Sequence, residues 1–467
     1  MKNFFNKKIL NILLFILIIL IPIQTRYFLN INKINNNFFE YGTTSIYLLD
    51  LYIILFIIYL FFYNLKNKLF ILNKKRKTFL YLLIIFNILL NISAMVSIDK
   101  EISTYFNLKI LTLSIFIFFL SFIKLNIKNI KEFFILSSLM QAIFSIIQFI
   151  DQNIIANKFL GIAEKFPQNL GVSVIENNYG RYLRSYGFFT HPNILGIFLL
   201  IGFIFLIFKI INFETIENNN KNKLIKYFNY YIFGIIFLGI IFTFSRIAIF
   251  ISILFIIIFF IYKVFYYLKN KDNININNYI NNKINIKIEN NIKYINNFIL
   301  IFIIQFIIIL IFKDLIFLRL NNDNRLNVIS NTQRINQYNE SKDIIKNNFL
   351  LGVGSRNYTI YKYKTNFNKE INSWDLIPVH NIYLLIFSEL GILGFISFLI
   401  FLIMPIFIKI DKEIKIVYLF ILFSGMFDHF LITENFGNIL LFLFIGILIS
   451  NTKYLEEYKK RAEDTTI

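Results

Sequence analysis

Residues 378–395 read PVHNIYLLIFSELGILGF, a histidine and an asparagine at the end of a long polar loop followed at once by an apolar run. Glu389 is the one charged residue between Ile382 and Phe395, and the apolar character continues towards residue 409. Such a run is long enough to cross about 30 Å of hydrocarbon as a helix, with Gly391 or Gly394 available for a bend. The stretch therefore marks a membrane boundary, and His380 stands on it.

Similar runs recur along the whole chain. We place spans at 9–26, 46–63, 79–97, 107–124, 131–150, 193–212, 229–242, 245–267, 297–317, 381–409, 414–431 and 436–451. Backbone groups in lipid must be satisfied within the segment, so runs of this length are expected to be helices. The composition agrees: 57% of the 467 residues are hydrophobic, with 59 Phe, too apolar for a soluble chain whose surface must be wetted. The expected fold is all-α, a polytopic membrane protein with about 12 transmembrane helices and a large external loop containing an amphipathic helix. The first span follows Lys7 and Lys8 like a signal peptide, but no small-residue cleavage site follows it, and an uncleaved anchor is expected.

Orientation follows from lysine and arginine, which concentrate on the cytoplasmic side of membrane proteins. Lys2, Lys7 and Lys8, the 66–77 segment, Lys124 to Lys131, Lys221 to Lys226, the 268–296 loop, Lys409 to Lys415 and Lys459 to Arg461 fall in alternate loops. That side is read as the cytoplasm, with both termini inside. The formal net charge of +21 is then an orientation signal and an attraction to anionic lipid, and it requires no nucleic acid. The Asn-rich tract 270–297 reads as a cytoplasmic linker. There is no internal repeat, and the absence of cysteine excludes disulfides and thiolate chemistry.

The opposite face receives loops near 151–192, 243–245, 318–380 and 430–436. All three histidines, His191, His380 and His429, lie at this outer boundary, together with Arg181, Arg184, Arg246, Arg334 and Arg356. Arginines on the face that normally lacks them suggest an anion to be held, although a 60-residue loop can escape the charge rule and be merely solvated. In GRYLRSYGFFTHPNILGIF (180–198), Pro192 is an ordinary helix-start signal, and His191 reads either as a boundary residue or as part of a site. Its aromatic residues could stack on sugar rings or form an interfacial belt. In FTFSRIAIF (242–250), Arg246 is flanked by apolar residues on both sides, and an ionisable residue at membrane depth is costly unless it is functional or snorkels to the interface. In the large loop, Tyr338, Ile345 and Phe349 recur at helical spacing, with Gly352 and Gly354 as the expected stop of a helix lying on the outer face. His380 can accept a proton near neutral pH, which suits a general base, though a lone interfacial imidazole can also be structural. Asp428, His429 and Glu434 form the one candidate metal site in the sequence, but they lack helical ligand spacing for a convergent pair, and a structural or acceptor-positioning role is expected there.

In this order, RSYGFFTHPN, FTFSR, the Arg334–Gly354 helix and VHNIYLLIFSELGILG resemble the O-antigen ligase and polymerase superfamily of bacterial envelope glycosyltransferases, over roughly residues 180–450. The resemblance implies a GT-C-like enzyme in the cytoplasmic membrane, with its active site on the external face. Its donor would be a glycan on undecaprenyl pyrophosphate, and its acceptor another glycan, lipid A core or a second repeat unit. His380 would be the catalytic base, and Arg184 and Arg246 would bind the donor pyrophosphate. His191, Asn193, Arg334, Asn381 and Glu389 would support the site or bind substrate. Inversion at the sugar and independence of metal or other cofactor are implied, since arginine can stabilise the departing diphosphate. The chain divides accordingly into N-terminal transmembrane helices 1–150, a ligase-like core 151–451 with external loop 318–380, and a cytoplasmic tail 452–467. Repeat-unit polymerisation, protein O-glycosylation and, outside the enzyme class, secondary transport of an anion are the competing functions.

Overall fold

The computed structural model describes residues 5–70, 74–177, 180–213, 220–272, 300, 303–321, 325–365, 372–408 and 411–450. Most of the Asn-rich tract, part of the run expected at 297–317 and the tail 452–467 lie outside these residues. The chain forms two compact units, one from residues 1–129 with 329–467 and the other from 130–328.

Among the described residues, six helices are long and apolar enough to cross a membrane: Leu48–Lys66, Arg76–Met95, Lys100–Leu120, Ile127–Asp151, Pro192–Ile210 and Ile382–Phe407. Tyr227–Thr243, Arg246–Ile258 and Asn435–Ser450 are apolar but shorter. The first expected span is shortened. Its helix, Lys7–Leu20, has 14 residues, about 21 Å of rise, and by Arg26 the chain is a β-strand. That strand pairs antiparallel with Thr44–Tyr47. Between them a two-residue turn with Asn35 and Asn36 both at positive φ closes a short hairpin, the twist that asparagine tolerates. Bidentate Arg26–Glu40 hydrogen bonding ties this extension together.

In the first unit the Asn435–Ser450 helix is buried along its whole length and packs on Lys100–Leu120. Gly446 makes that approach possible, since a Cβ there would sit 2.8 Å from Leu120 Cδ2. The Ile382–Ile403 helix packs on Lys74–Met95, where Phe86 stacks on Phe401 at 5.5 Å with the rings 9° apart. Local caps set the starts: the side chains of Asn6, Asp99, Asn381 and Asp411 each accept from amides of the following turn.

The bend expected at Gly391 or Gly394 falls at Gly391, where φ is +63° inside the helix. A neighbouring segment makes good the backbone groups this break releases. Val353 and Gly354 donate to the carbonyls of Ser388 and Glu389 (3.1 and 2.9 Å), and Ile392 donates to the Phe349 carbonyl at 2.8 Å. Backbone meets backbone here: a Cβ on Gly352 would lie 2.3 Å from Glu389 O, and one on Gly391 2.3 Å from Leu350 O. Gly352-Val353-Gly354 is thus the partner of a broken membrane helix.

The helix expected in the 318–380 loop runs Arg325–Asn347, ending before the expected glycine stop. Its buried face also differs from the expected stripe. Gln337, Ser341 and Ile344 are buried, Tyr338 and Ile345 are half-buried, and Phe349 lies beyond the helix and is exposed. The Tyr358 hydroxyl, which donates to the Gln337 carbonyl, helps select that face.

In the second unit, Pro192–Phe213 packs against Asn220–Thr243 and Arg246–Asp272. Small residues bring these elements close. A Cβ on Gly196 would meet Ala248 Cβ at 2.9 Å, and one on Gly239 would meet Ala142 Cβ at the same distance.

Candidate functional site

The second unit holds Arg184, Arg246 and Arg319. The Ile127–Asp151 helix buries a polar stripe of Gln141, Ser145 and Gln148. Gln148 accepts from the amides of Tyr186 and Gly187 (3.0 and 2.8 Å), and Gln141 accepts from Phe188 at 3.0 Å. Ser185 donates through its hydroxyl to the Ser145 carbonyl and through its amide to the Phe242 carbonyl. Residues 185–188 are therefore anchored by side chains that would otherwise be unsatisfied in an apolar helix, and Arg184 is held at their head.

Arg184 is buried. Its Nε donates to the Thr243 carbonyl at 2.8 Å and its Nη2 to Asn193 Oδ1 at 2.7 Å. Arg246 opens the next helix after a tight turn in which Phe244 adopts φ +45°. Its Nη2 donates to Asn327 Oδ1 at 3.4 Å, and the same oxygen accepts from Arg319. Burial pushes the Arg184 guanidinium well below its ordinary value; Arg319 and then Arg246 add to this as like charges, while Tyr186 opposes it. A guanidinium nonetheless stays protonated in a protein. Three cations thus gather at one end of this unit, an arrangement suited to a multivalent anion. Arg319 escapes sequence reasoning because it sits just past an apolar run, outside every quoted motif. Its only linear signal is a charge directly after a membrane-length segment.

His191 behaves as a helix-start residue. Its Nδ1 accepts from the Asn193 amide at 3.1 Å, its Nε2 lies 3.1 Å from Ser173 Oγ, and its carbonyl accepts from Ile194. Its link to the arginines passes through Asn193. Arg181 lies 3.2 Å from Glu176, which Arg325 also contacts.

In the first unit, residues 379–382 are pinned to a turn 45 residues further on. Ile382 N donates to Gly425 O at 2.8 Å and Asn381 Nδ2 to Met426 O at 3.1 Å, while Asn381 Oδ1 caps the helix through the amides of Tyr383 and Leu384. Gly425 allows this approach, since a Cβ there would be 2.5 Å from Ile382 Cδ1. The result sets His380, one quarter exposed, beside Asp428 and His429. His380 Nδ1 lies 3.9 Å from Asp428 Oδ1, and the two imidazole rings are 4.9 Å apart at 33°.

His429 is buried, with Nδ1 2.8 Å from Thr433 Oγ1 and its ring edge-on to Tyr41. Burial and the neighbouring His380 push it down to about 3; Asp428 opposes and Arg334 adds to the fall. His429 is therefore neutral at physiological pH. Arg334 thus bears electrostatically on this pair from the Arg325–Asn347 helix. Glu434 does not join Asp428 and His429 as the linear cluster suggests. It faces Glu40 and Arg356, and burial with the Glu40 charge raises it to about 7 against the pull of Arg356 and Arg26. Glu389 is buried at the helix break, where its carboxylate accepts from the amides of Arg356 (2.8 Å) and Tyr358 (3.4 Å). Asn381 thus fixes the backbone beside His380, and Glu389 fixes the 356–358 segment at the helix break.

Together these features define a polytopic helical membrane protein with an arginine cluster in one unit and a carboxylate-backed imidazole in the other. Residues 231–399 match the family described as O-antigen ligase. The resemblance to the O-antigen ligase and polymerase superfamily holds over that stretch, which contains Arg246, Arg319, Arg334, His380, Asn381 and Glu389, and it supports an activity of that type. No curated protein and no solved structure matches the chain.

Proposed function

We propose that the protein is an O-antigen ligase-like glycosyltransferase that moves a glycan from undecaprenyl pyrophosphate to an acceptor glycan, such as lipid A core, on the external face of the cytoplasmic membrane. The reading adopts a GT-C-like architecture of about twelve spans with both termini in the cytoplasm. The observation that carries it is the His380 imidazole, partly exposed and backed by Asp428 at 3.9 Å, inside the family-matched stretch. The pair stands beyond hydrogen-bond length here, and catalytic contacts of this kind are often long without substrate and tighten in the reacting complex.

His380 takes the proton of an acceptor hydroxyl as that oxygen bonds to the anomeric carbon. The bond from that carbon to the phosphate oxygen breaks, and undecaprenyl pyrophosphate leaves. Attack opposite the leaving group inverts the sugar. Arg184 and Arg246 meet the charge that develops on the diphosphate, where fixed cations at low dielectric stabilise the transition state without reorganising. Asp428 stabilises the imidazolium that forms. The base and the cations present the groups this reaction needs without a metal.

The test is transfer in detergent from an undecaprenyl-pyrophosphate glycan to lipid A core or to a second repeat unit, with His380→Ala, Arg184→Ala and Arg246→Ala compared with wild type. Loss of transfer in a folded His380→Ala protein is expected, and near-normal turnover would remove the base assignment. Transfer to the repeat unit alone would make the protein a polymerase. No transfer to either acceptor, with anion uptake in vesicles, would make it a transporter.

A further inference from the structure

His380, Asp428 and His429 have a second chemistry available. Each offers one ligand atom, and these atoms all lie within 4.8 Å of one another. Two imidazoles and a carboxylate form the donor set that proteins use for late first-row divalent cations, with a fourth position left open. Oxygen-seeking Mg²⁺ and Ca²⁺ would want more carboxylate and carbonyl ligands than this cluster offers.

The surroundings suit ligation. His380 Nδ1 is buried without a hydrogen-bond partner, and at 3.9 Å it is beyond hydrogen-bond length from Asp428 Oδ1. Donors about 2.0 Å from one tetrahedral ion stand about 3.3 Å apart, so this pair would close by about 0.6 Å, a small side-chain rotation. His429 has Nδ1 occupied by Thr433 Oγ1, which orients the ring and leaves Nε2 as the ligand atom. Fixing one imidazole nitrogen by a hydrogen bond is how metal-ligating histidines are usually held. Asp428 Oδ1 accepts from the amides of His429 (2.7 Å) and Phe430 (3.3 Å), and a carboxylate so fixed still has lone pairs to give.

The geometry points to an inhibitory Zn²⁺ site formed by His380, Asp428 and His429. The inhibition rests on the proposed base role of His380; the binding does not. An imidazole ligated through Nδ1 carries its hydrogen on Nε2 and has no lone pair left to take an acceptor proton. Bound zinc and catalysis are therefore mutually exclusive.

The full chain in detergent is titrated with Zn²⁺ calorimetrically, and with Co²⁺ as a spectroscopic stand-in whose visible bands strengthen in four-coordinate sites. One ion per chain is expected. Affinity should fall by at least about tenfold in Asp428→Asn and again in His429→Gln, while His191→Asn, which alters the histidine outside the cluster, should bind as wild type does. Absence of binding by the wild-type protein, or equal binding by the Asp428→Asn/His429→Gln double variant, would overturn the site. Thermal melting of each variant separates loss of a ligand from loss of the fold. Zinc bound at this site should also suppress glycan transfer over the same concentration range, reversibly with chelator. Binding without suppression would retain the site and refute the base role of His380.

Discussion

The contact between Gly352 and the break at Gly391 can be tested by adding one methyl group. In Gly352→Ala the new Cβ would stand 2.3 Å from Glu389 O and 2.6 Å from Gly391 N, at a residue with φ +70°. The left-handed conformation costs a non-glycine residue about 1–2 kcal/mol. Relieving the overlap requires backbone to move, since both neighbours are main-chain atoms, and overpacking of this kind costs about 1–3 kcal/mol. Movement would also stretch the bonds from Val353 and Gly354 to Ser388 and Glu389, about 1 kcal/mol each. Together these come to about 4–7 kcal/mol. Gly171→Ala is the matched control: its φ is +78°, but a Cβ there meets nothing within 4 Å, so only the conformational cost of about 1–2 kcal/mol remains. Thermal unfolding of both variants in the same detergent should show Gly352→Ala losing at least about twice as much stability, on the order of those sums. Equal losses would mean that the helix break is not held by the 350–354 segment.

Other perturbations separate the elements of the site. Arg319→Ala should lower kcat/KM for donor by about tenfold to a hundredfold, the effect of one charged hydrogen bond of roughly 1.5–3 kcal/mol, with the helices intact by circular dichroism; unchanged kinetics would remove Arg319 from the site. Arg246→Lys should also be impaired, because an ammonium cannot reproduce a two-pronged grip on diphosphate; wild-type rates there would argue against that grip. Asn381→Ala removes a side-chain cap and should cost about 1 kcal/mol of stability, measurable by denaturant titration. Below pH 6.5 the unfolded chain takes up a proton that folded His429 refuses until about pH 3, so falling pH favours unfolding through that window. Glu434, raised to about 7, gives the opposite slope, with stability lost as pH rises from about 4.5 to 7. The difference in stability between wild type and His429→Gln should therefore shrink as pH falls below 6.5, and a pH-independent difference would show that His429 is not buried neutral.

The membrane class and the approximate positions of most helices were legible because hydropathy is a local property, summed over twenty neighbouring residues. The start of the Ile382–Ile403 helix and the position of Arg246 at a turn were legible for the same reason. The shortening of the first span was not. Pairing of Arg26–Asn30 with Thr44–Tyr47 competes with helix there, and a strand's partner lies elsewhere in the chain. The Arg325–Asn347 helix was expected, but the face it buries was chosen by Tyr358 and its neighbours in the fold.

His380, Arg184, Arg246 and the two glycine motifs could all be picked out as residue types at a boundary, because charge and backbone freedom in an apolar chain are conspicuous from sequence alone. What each one touches was settled by chain closure: Gly425 and Met426 draw His380 to Asp428 and His429, Asn327 gathers Arg246 with Arg319, and the 350–354 segment makes good the gap at Gly391. Hydropathy acts between neighbours in the chain, whereas ligation, charge repulsion and hydrogen bonding act between neighbours in space, and folding alone decides which residues those are.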